Sequence, residues 1–490
     1  MGINTGHFSL EHPRDPRSVP ETIVNDVHSR LNRTHVHRLV RPQSIREVQE
    51  LVHDAFVDGQ RIAVAGGRHA MGGQQFVRRG LLADMTSMTR VDVLDNERGL
   101  VTVEAGVDWI HLVHHLLWAG AGTLRPWSII QKQTGADRMT IGGALASNIH
   151  GRGLAMRPFI DNIESFDIVR PDGTLVTCSR TAHRELFCLA IGGYGLFGIV
   201  VRVTLRLAHR HKVQRRVAIM RADDLPAAFA ERIRDGYEVG DFQFAIDPAS
   251  REFMQVGVFS CYRPVEDDVP LAADQRALDA DEWRRLLLLA HTEKSRAFAE
   301  YARHYMSTDG QIYWSDTHQL SQYIEGYHDA LDEQVGAGAE GSEVITELYV
   351  PRADLPAFMA ATRADARRHG MNVVYGTVRL IERDDESFLA WARRPWACIV
   401  FNLHVDHTPA GIAKGRDDMR RLIDAAADFG GSYYLTYHRW ATRAQVERCH
   451  PRFREFLHQK ALHDPRGIFT SDWHQHHVAL FEGREEEPRS

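Results

Sequence analysis

The sequence predicts a two-domain α+β protein on three grounds. Its 490 residues are more than one hydrophobic core usually holds. Up to about residue 210, short apolar strand patterns alternate with helices and with three glycine-rich stretches. Beyond that point the glycine clusters disappear, and long helical segments alternate with buried strands. We therefore expect an N-terminal domain organised around glycine loops and a C-terminal α+β domain.

In the N-terminal half, each element is marked by its flanking residues. Ser44 followed by Glu47 is a capping-box pattern that predicts the start of an amphipathic helix. Further along, "RIAVAGG", "LLADMTSM" and "LVTVEAGV" predict short strands, and "DWIHLVHHLLWAG" predicts a helix. "NIESFDIVRPDGTLVTCS" predicts a hairpin whose turn is the PDG segment. "ELFCLAIGGYGLFGIVVRVTLRL" closes the half with a glycine cluster and a β-branched strand.

In the C-terminal half, the sequence predicts longer helices and strands than in the N-terminal half. "ADQRALDADEWRRLLLLAHTEKSRAFAEYARHY" is strongly helical. "SEVITELYVPRADLPAFMAATRADARRHG" predicts a strand, a proline-marked turn and a helix. "PWACIVFNLHVD" predicts a buried strand. These segments account for the second, α+β domain.

Composition and charge exclude several classes of protein. Hydrophobic residues make up 43% and charged residues 25% of the chain, with a net charge of -6, which is typical of a soluble globular protein. No lysine- or arginine-rich block indicates a nucleic-acid partner, and no apolar run approaches the ~20 residues that span a bilayer. Five scattered cysteines and a start without a secretion-signal pattern predict a cytoplasmic protein with reduced thiols. The oligomeric state stays open.

The glycine loops indicate a large ligand that backbone approaches closely. In "AGGRHAMGGQQF", residues 65–76, a loop follows a strand directly, where backbone N–H groups can cradle a phosphate. The spacing is neither G-x-G-x-x-G nor G-x-x-x-x-G-K-[ST], so it predicts neither a Rossmann nor a Walker site. By spacing alone, tight turns between short strands are an equal alternative.

The ordered set of motifs resembles the FAD-binding domain of the vanillyl-alcohol oxidase / p-cresol methylhydroxylase superfamily. The motifs "RIAVAGGRHAMGGQQF", "MTIGGALASNIHGRG" and "ELFCLAIGGYGLFGIVVRVTL" carry the resemblance, which covers roughly residues 35–210. It implies a PCMH-type FAD-binding fold followed by a C-terminal α+β substrate (cap) domain. The expected boundaries are an N-terminal arm (1–35), the FAD-binding domain (36–210), the substrate domain (211–430), a segment returning to the flavin (431–476) and a polar tail (477–490).

The resemblance also assigns residues to FAD. In many members the histidine of the first loop is bonded to the flavin 8α-methyl carbon, and His69 occupies that place, so FAD is expected to be covalently attached there. The alternative is a histidine that only hydrogen-bonds a phosphate or packs in the loop. The expected cofactor-binding residues are Gly66, Gly67, Arg68, His69, Ala70, Gly135, Thr140, Gly142, Gly143, Ser147, Ile149, His150, Ile199 and Tyr434.

Four residues are candidates for catalysis. The C-terminal half resembles, more loosely, sugar-, polyol- and aldonolactone-oxidising members, whose Glu-x-Arg element is matched by Arg379 with the glutamate missing. The ending resembles that of decaprenylphosphoryl-ribose oxidase, in which a substrate-contacting lysine stands at the position of Tyr437. His438 is a weaker candidate, because it matches the histidine of the His-Trp-Gly-Lys ending of the aldonolactone group only with an insertion. His150 matches a residue beside the flavin and the substrate pocket. For Arg379 and His150, a surface arginine and a loop histidine are the alternatives.

The implied function is an FAD-dependent oxidoreductase that oxidises an alcohol carbon of a small molecule of the sugar, polyol or lactone type. Hydride passes to flavin N5, and the electrons pass to O2 or another acceptor. The nearest alternative is an amine-oxidising enzyme like cytokinin dehydrogenase, whose catalytic aspartate has a near but shifted match in Asp137. A non-catalytic flavoprotein and an FAD-free protein are further alternatives.

Histidine-rich stretches elsewhere do not predict a metal site. His111, His114 and His115 lie at helical spacing, but no cysteine or acidic ligand stands at usable spacing. "DWHQHH", residues 472–477, is expected to be a solvated terminal stretch.

Overall fold

The structure is a computed structural model that describes residues 22–321 and 327–484. Most of the expected N-terminal arm and the end of the expected tail therefore lie outside the described residues. The two-domain α+β prediction is confirmed. Within the described ranges, no helix is both long and apolar enough to cross a membrane.

The N-terminal domain contains a parallel and an antiparallel sheet. Strand order is β3-β5-β4 in the parallel sheet and β6-β10-β8-β9 in the antiparallel one, while β1 pairs with β2 and β7 with β11. The elements are β1 (Thr22–Val24), β2 (Thr34–Val36), β3 (Arg38–Val40), α1 (Ile45–Asp58), β4 (Ile62–Ala65), β5 (Leu81–Asp84), β6 (Leu100–Glu104), α2 (Trp109–Ala119), β7 (Trp127–Ser128), α3 (Ile141–Ser147), β8 (Ile163–Val169), β9 (Leu175–Ser179), α4 (Arg184–Ala190), β10 (Ile199–Arg206) and β11 (Ala208–His209).

Two local predictions in this domain are confirmed. Ser44 caps α1 by accepting a hydrogen bond from the Glu47 amide at 3.2 Å, although the Glu47 carboxylate accepts from Gln43 instead of closing the reciprocal box. The predicted hairpin is β8–β9, an antiparallel pair. Its turn ends at Gly173, whose φ of 79° lies in the left-handed region that glycine adopts without strain.

The C-terminal domain is built on one eight-stranded sheet. Its strand order is β15-β12-β14-β13-β17-β18-β16-β19, and every pairing is antiparallel. The elements are β12 (Lys212–Arg221), α5 (Leu225–Arg234), β13 (Val239–Phe244), β14 (Val256–Val265), α6 (Ala280–Thr292), α7 (Lys294–Ser307), β15 (Ile312–Trp314), α8 (Tyr327–Val335), β16 (Gly341–Pro351), α9 (Leu355–His369), β17 (Val373–Ile381), β18 (Trp396–Asp406), α10 (Pro409–Asp428) and β19 (Ser432–Tyr433).

The two faces of this sheet have different partners. Residues alternate between faces along a strand, so Val344 and Leu348 of β16 join the apolar core with α9 and α10. The alternate residues Glu343, Ile345 and Glu347 point the other way and line a cavity on the opposite face. The alternation of β16 therefore places two carboxylates in a row facing the N-terminal domain.

The last part of the chain returns to the N-terminal domain. It contains α11 (Arg443–Cys449), α12 (Phe453–His463) and α13 (Asp472–Glu482). The amide of Ile62 in β4 donates to Ile468 at 2.7 Å, and the amide of Thr470 donates to Ile62 at 3.0 Å. Residues 468–470 thus extend the parallel sheet that leads into the first glycine loop.

Two expectations for the chain ends differ from the structure. The stretch expected to be solvated, with the tail that follows it, forms α13 as far as Glu482. Trp473, His477 and Phe481 are buried there because they pack on the aromatic core beside Phe453. The described part of the expected arm, residues 22–35, contains β1 and most of β2, which pair with each other and pack under the first loop.

Candidate active site

The first glycine loop packs directly against the segment that precedes α3. A Cβ on Gly66 would lie 2.0 Å from Oγ1 of Thr140, and one on Gly67 would lie 2.4 Å from the carbonyl oxygen of Arg138. No side chain fits at either position, so the spacing of the two segments requires glycine. Thr140 in turn caps α3 by accepting from the Gly143 amide at 3.2 Å.

A narrow cavity of about 100 Å³ runs between the three glycine segments. The third segment contributes Tyr194, Gly195, Phe197, Gly198 and Val200 to its wall. Of the expected FAD-binding residues, nine line this narrow cavity: Gly66, Gly67, Arg68, His69, Ala70, Thr140, Gly142, Gly143 and Ser147.

Ile199, also expected to contact the cofactor, has its side chain buried in the core beneath β10. Only its backbone, between the lining residues Gly198 and Val200, is placed for the contact that was expected.

A wide cavity of about 670 Å³ lies between the domains and meets the narrow one. The two cavities share His69, Met139 and Ser147. Expected site residues that line the wide cavity are Gly135, Ile149, Arg379, Tyr434 and Tyr437. The structure therefore brings most of the sequence-predicted residues to two connected spaces, with His69 at their junction.

His69 is held at this junction as a neutral imidazole. Its Nδ1 lies 2.9 Å from Nε2 of His28, while its own Nε2 is buried and has no hydrogen-bond partner among the described residues. Burial, and secondarily the neighbouring His28, lower the pKa of His69 to about 3. The ring thus presents an unprotonated nitrogen at neutral pH, which a nucleophile requires.

A carboxylate that was not singled out from the sequence, Glu347, is the centre of the polar wall of the wide cavity. Its Oε1 accepts from the Tyr437 hydroxyl at 3.0 Å, and its Oε2 accepts from the Tyr349 hydroxyl at 3.0 Å. His150 Nε2 lies 2.8 Å from the same Oε2. Burial alone would raise the pKa of Glu347, but His150 and Arg379 outweigh that effect and lower it.

His150 lies behind Glu347 and lines neither cavity. Its Nδ1 is 3.0 Å from the carbonyl oxygen of Gly151, which can only accept, so Nδ1 carries a proton. A second proton has to lie between Nε2 and Oε2, because two lone pairs would repel at 2.8 Å. The expected direct catalytic role of His150 is therefore corrected: it shares a proton with Glu347 and acts through that carboxylate.

Tyr437 and Arg379 reach the wide cavity as expected. The Tyr437 hydroxyl donates to Glu347 and accepts from Gln133 Nε2 at 3.2 Å, and burial followed by Glu347 raises the pKa of this phenol well above its usual value. Arg379 is only 4% exposed, so the alternative of a surface arginine is wrong. Burial disfavours its charge, but Tyr375 and Glu347 more than compensate and raise its pKa.

His438 does not reach either cavity, which corrects its assignment as a catalytic candidate. Its Nε2 lies 3.3 Å from Oγ1 of Thr346, which points to the opposite face of β16 from Glu347. The ring stacks between Tyr433 and Trp440. Burial lowers its pKa to about 4, so it is a neutral packing residue at pH 7.

Tyr434 connects the backbone of Glu347 to the junction of the cavities. Its amide donates to the Glu347 carbonyl at 3.0 Å, and its hydroxyl donates to the carbonyl of Ser147 at 2.6 Å. The first loop is fixed to the same segment, because the Met71 amide donates to Thr436 at 3.2 Å. The C-terminal segment thus sets the position of Glu347 relative to His69.

The fit of the site to a dinucleotide rests on its orphaned polar atoms. Buried polar groups almost always have partners, so unpaired ones need an explanation such as a ligand. Among residues 22–321 and 327–484, the buried atoms that line the cavities without a hydrogen-bond partner are His69 Nε2, Gln75 Oε1, Gln133 Oε1, Gln243 Oε1 and Arg379 Nε. They fit a large polar group that occupies both cavities.

Sequence reasoning missed Glu347 although a signal was present. In "GSEVITELYV" two glutamates stand four residues apart in an otherwise apolar strand, which places both on one face. An ionisable residue on a buried strand is a candidate functional group. His28 gave no such signal, because it lies in a polar arm and meets His69 only through the fold.

Comparison with known proteins agrees with this geometry. Residues 36–179 match the family model of the FAD binding domain. Cytokinin dehydrogenase 2 of Arabidopsis thaliana is 29% identical over 178 residues, which are 36% of this chain and 34% of that protein. An uncharacterized oxidoreductase of the fasciation locus of Rhodococcoides fascians is 31% identical over 179 residues, 36% of this chain and 38% of that protein.

A third relative comes from a different enzyme class. L-galactono-1,4-lactone dehydrogenase 1, mitochondrial, of Oryza sativa subsp. japonica is 26% identical over 230 residues, which are 45% of this chain and 38% of that protein. The chain thus spans roughly a third to two fifths of the length of these relatives. The matches confirm FAD as the cofactor of the glycine-loop domain.

Proposed function

We propose that this chain, a member of the vanillyl-alcohol oxidase / p-cresol methylhydroxylase superfamily through its FAD-binding domain, is an FAD-dependent oxidoreductase that oxidises an alcohol carbon. The proposed substrates are small hydroxylated molecules of the sugar, polyol or lactone type. One observation carries the proposal: Glu347 lines the wide cavity, and its main-chain carbonyl is bonded to Tyr434, whose hydroxyl reaches Ser147 at the junction beside His69.

In the proposed reaction, bound FAD supplies the hydride acceptor at N5. Glu347 takes the proton of the substrate hydroxyl, which lets the carbinol carbon release hydride. His150 shares a proton with Glu347 across the 2.8 Å contact between Nε2 and Oε2. The Tyr437 hydroxyl holds the carboxylate in place by donating a hydrogen bond to it. Since one proton joins Glu347 for each hydride transferred, the net charge of the site is unchanged.

Arg379 supplies the positive charge of the site. With one proton shared between them and one on Nδ1 of His150, Glu347 and His150 together carry no net charge. The positive charge of the buried Arg379 guanidinium is therefore not cancelled by this pair, and it faces the cavity. A fixed cation there favours the negative charge that accumulates when hydride arrives. Arg379 also has an unpaired Nε with which to orient a hydroxyl of the substrate.

We further propose that FAD is bonded to His69 through the 8α-methyl carbon. The neutral ring and its free Nε2 support this attachment, and His28 fixes the other ring nitrogen. Attachment would keep the cofactor from leaving between turnovers and raise its potential for accepting hydride.

Amine oxidation is the second candidate, and the similarity to cytokinin dehydrogenase favours it. The residue that would serve it, Asp137, lines neither cavity. Its carboxylate is paired with the buried Lys132 ammonium and accepts from the Ser321 amide at 2.7 Å. An aspartate held in this way is poorly placed to receive a substrate proton, which supports the alcohol.

Reduction of the flavin by candidate donors tests the proposal. Anaerobic protein, with no other electron acceptor present, is mixed with polyols, aldoses or aldonolactones in one series and with secondary amines of adenine in another. Bleaching of the flavin band by a hydroxylated donor is expected. Bleaching by amines alone would establish the second candidate, and no bleaching by any donor of either series would contradict both.

A further inference from the structure

Three histidines converge on a second buried carboxylate, Glu343, two residues along β16 from Ile345 and four from Glu347. His291 of α6 places Nε2 at 3.3 Å from Glu343 Oε1, and His404 of β18 places Nδ1 at 3.3 Å from the same oxygen. On the other oxygen, Oε2, lie His328 Nδ1 at 3.0 Å and the donating hydroxyl of Tyr327. The cluster therefore joins α6, α8, β16 and β18.

The spacing of the first three groups fits a tetrahedral metal ion. The ligand atoms of His291, Glu343 and His404 all lie within 4.8 Å of one another. Zinc bonds to nitrogen and oxygen at about 2.0–2.1 Å, which sets neighbouring ligand atoms of a tetrahedron roughly 3.3 Å apart. Two of the three distances between ligand atoms have this length: those from Glu343 Oε1 to His291 Nε2 and to His404 Nδ1.

Groups behind the ligands hold them in orientation. His404 turns its second nitrogen, Nε2, to the Asp406 carboxylate at 3.4 Å, an arrangement typical of metal-binding histidines. His328 and Tyr327 hold the second oxygen of Glu343 and leave Oε1 to face the other two ligands. The donors thus come with supporting contacts of the kind that metal sites use.

A purely hydrogen-bonded cluster is the alternative to a metal ion, and the zinc content of the protein decides between them. One carboxylate neutralises one imidazolium, but here three imidazoles crowd a single buried glutamate. With neutral rings, His291 and His404 would donate two N–H groups to one oxygen of Glu343, which a carboxylate oxygen can accept. A divalent cation uses the lone pairs of both rings and the carboxylate charge together.

We propose that His291, Glu343 and His404 bind a Zn²⁺ ion, with water as the fourth ligand. The ion ties helix α6 to strands β16 and β18 at the wall of the wide cavity, to which Glu343 belongs. Zinc has no redox chemistry, so the ion itself takes no electrons from the substrate. The zinc proposal does not depend on the proposed function.

Metal content of the purified flavoprotein tests the site. Protein is dialysed against a chelator, re-supplied with Zn²⁺, freed of unbound ion, and analysed for zinc per chain by mass spectrometry. About one equivalent is expected for the wild type, and its thermal midpoint should rise on zinc addition. H404Q and E343Q should each lose the equivalent, and D406N should weaken zinc affinity about 10- to 100-fold.

The control variant is H115Q, on helix α2 far from the cluster in sequence, where three histidines could bind zinc adventitiously. It should keep the full equivalent. No stoichiometric zinc in the wild type, or a full equivalent in H404Q, would overturn the proposal. Should H404Q or E343Q not fold, the Co²⁺-loaded wild type decides: intense tetrahedral absorption that D406N alters supports the site, and weak octahedral absorption refutes it.

Discussion

Glu347 keeps a carboxylate where burial alone would favour its protonated form. Two hydroxyls donate to it, from Tyr349 and Tyr437, and His150 shares a proton with it. The charge is therefore maintained by hydrogen bonds and by Arg379, and solvent is not needed. A base that is ionised before substrate enters is what the removal of a hydroxyl proton requires.

Replacing Glu347 by glutamine tests this role. The amide keeps the volume and can still accept from Tyr437, but it cannot take a proton. We expect the rate of flavin reduction to fall about 10²- to 10⁴-fold, the usual range for loss of a general base. Stopped-flow measurement at 450 nm gives the rate. Glu340→Gln, an exposed change just before β16, is the control and should leave the rate as it is.

His69 and His28 set the attachment of the flavin. In His69→Ala, acid precipitation should release all flavin into the supernatant, whereas the wild type should retain it in the pellet. His28→Gln should slow attachment, because Nδ1 of His69 loses its partner at 2.9 Å. Fluorescence of the denatured protein band over time after adding FAD gives both results. Wild-type flavin that is freely released would refute the bond and leave the FAD site itself intact.

At the scale of elements, the site depends on how closely two loops approach. The first glycine loop and the start of α3 touch with no room for a methyl group at Gly66. On the other side, β16 presents Glu343, Ile345 and Glu347 on one face because strand residues alternate. One loop contact and one strand register therefore fix the two halves of the site.

Gly66→Ala should push the first glycine loop away from the start of α3. Its Cβ would lie 2.0 Å from Thr140 Oγ1, so the loop has to move, at an expected loss of about 1–3 kcal/mol in unfolding free energy. Flavin content after gel filtration should fall together with the denaturation midpoint. Gly338→Ala, where an added Cβ meets nothing within 4 Å, should change neither quantity. Equal flavin content in the two variants would contradict the close packing.

Patterns among neighbouring residues predicted the helices and strands well. Roles that depend on contacts between distant residues could not be predicted from the sequence. The α1 helix and the β8–β9 hairpin follow from residues within a few positions of each other, and His69 follows from its loop. Glu347 acquires its role only when β16 meets residues about 90 and 200 positions away. His438 was misassigned because sequence does not show which side of the sheet a residue of the returning segment faces.

At the scale of the whole molecule, buried histidines make stability depend on pH. Burial lowers the pKa of His450 to about 3 and of His438 to about 4, against about 6.5 in an unfolded chain. Below pH 6.5 the unfolded chain binds protons that the folded chain does not, so stability falls as the pH drops toward the folded values. Each such histidine contributes a slope of up to about 1.4 kcal/mol per pH unit.

Urea unfolding at pH 7 and pH 5 measures this dependence. The wild-type midpoint should be lower at pH 5, and His450→Gln should reduce the difference because one proton acceptor of the unfolded chain is gone. His53→Gln, an exposed change on α1, should retain the wild-type difference. A midpoint that rises toward pH 5 would be the wrong sign and would contradict the account.

The hydrogen bonds between Ile62 and residues 468–470 have a consequence for biosynthesis. A ribosome makes the strand before the first glycine loop early, but the segment that completes its sheet emerges only after some 400 further residues. The nucleotide-binding half therefore completes its parallel sheet only once residue 470 has left the ribosome. Any FAD contact that depends on the completed sheet forms after nearly all of the described chain has been made.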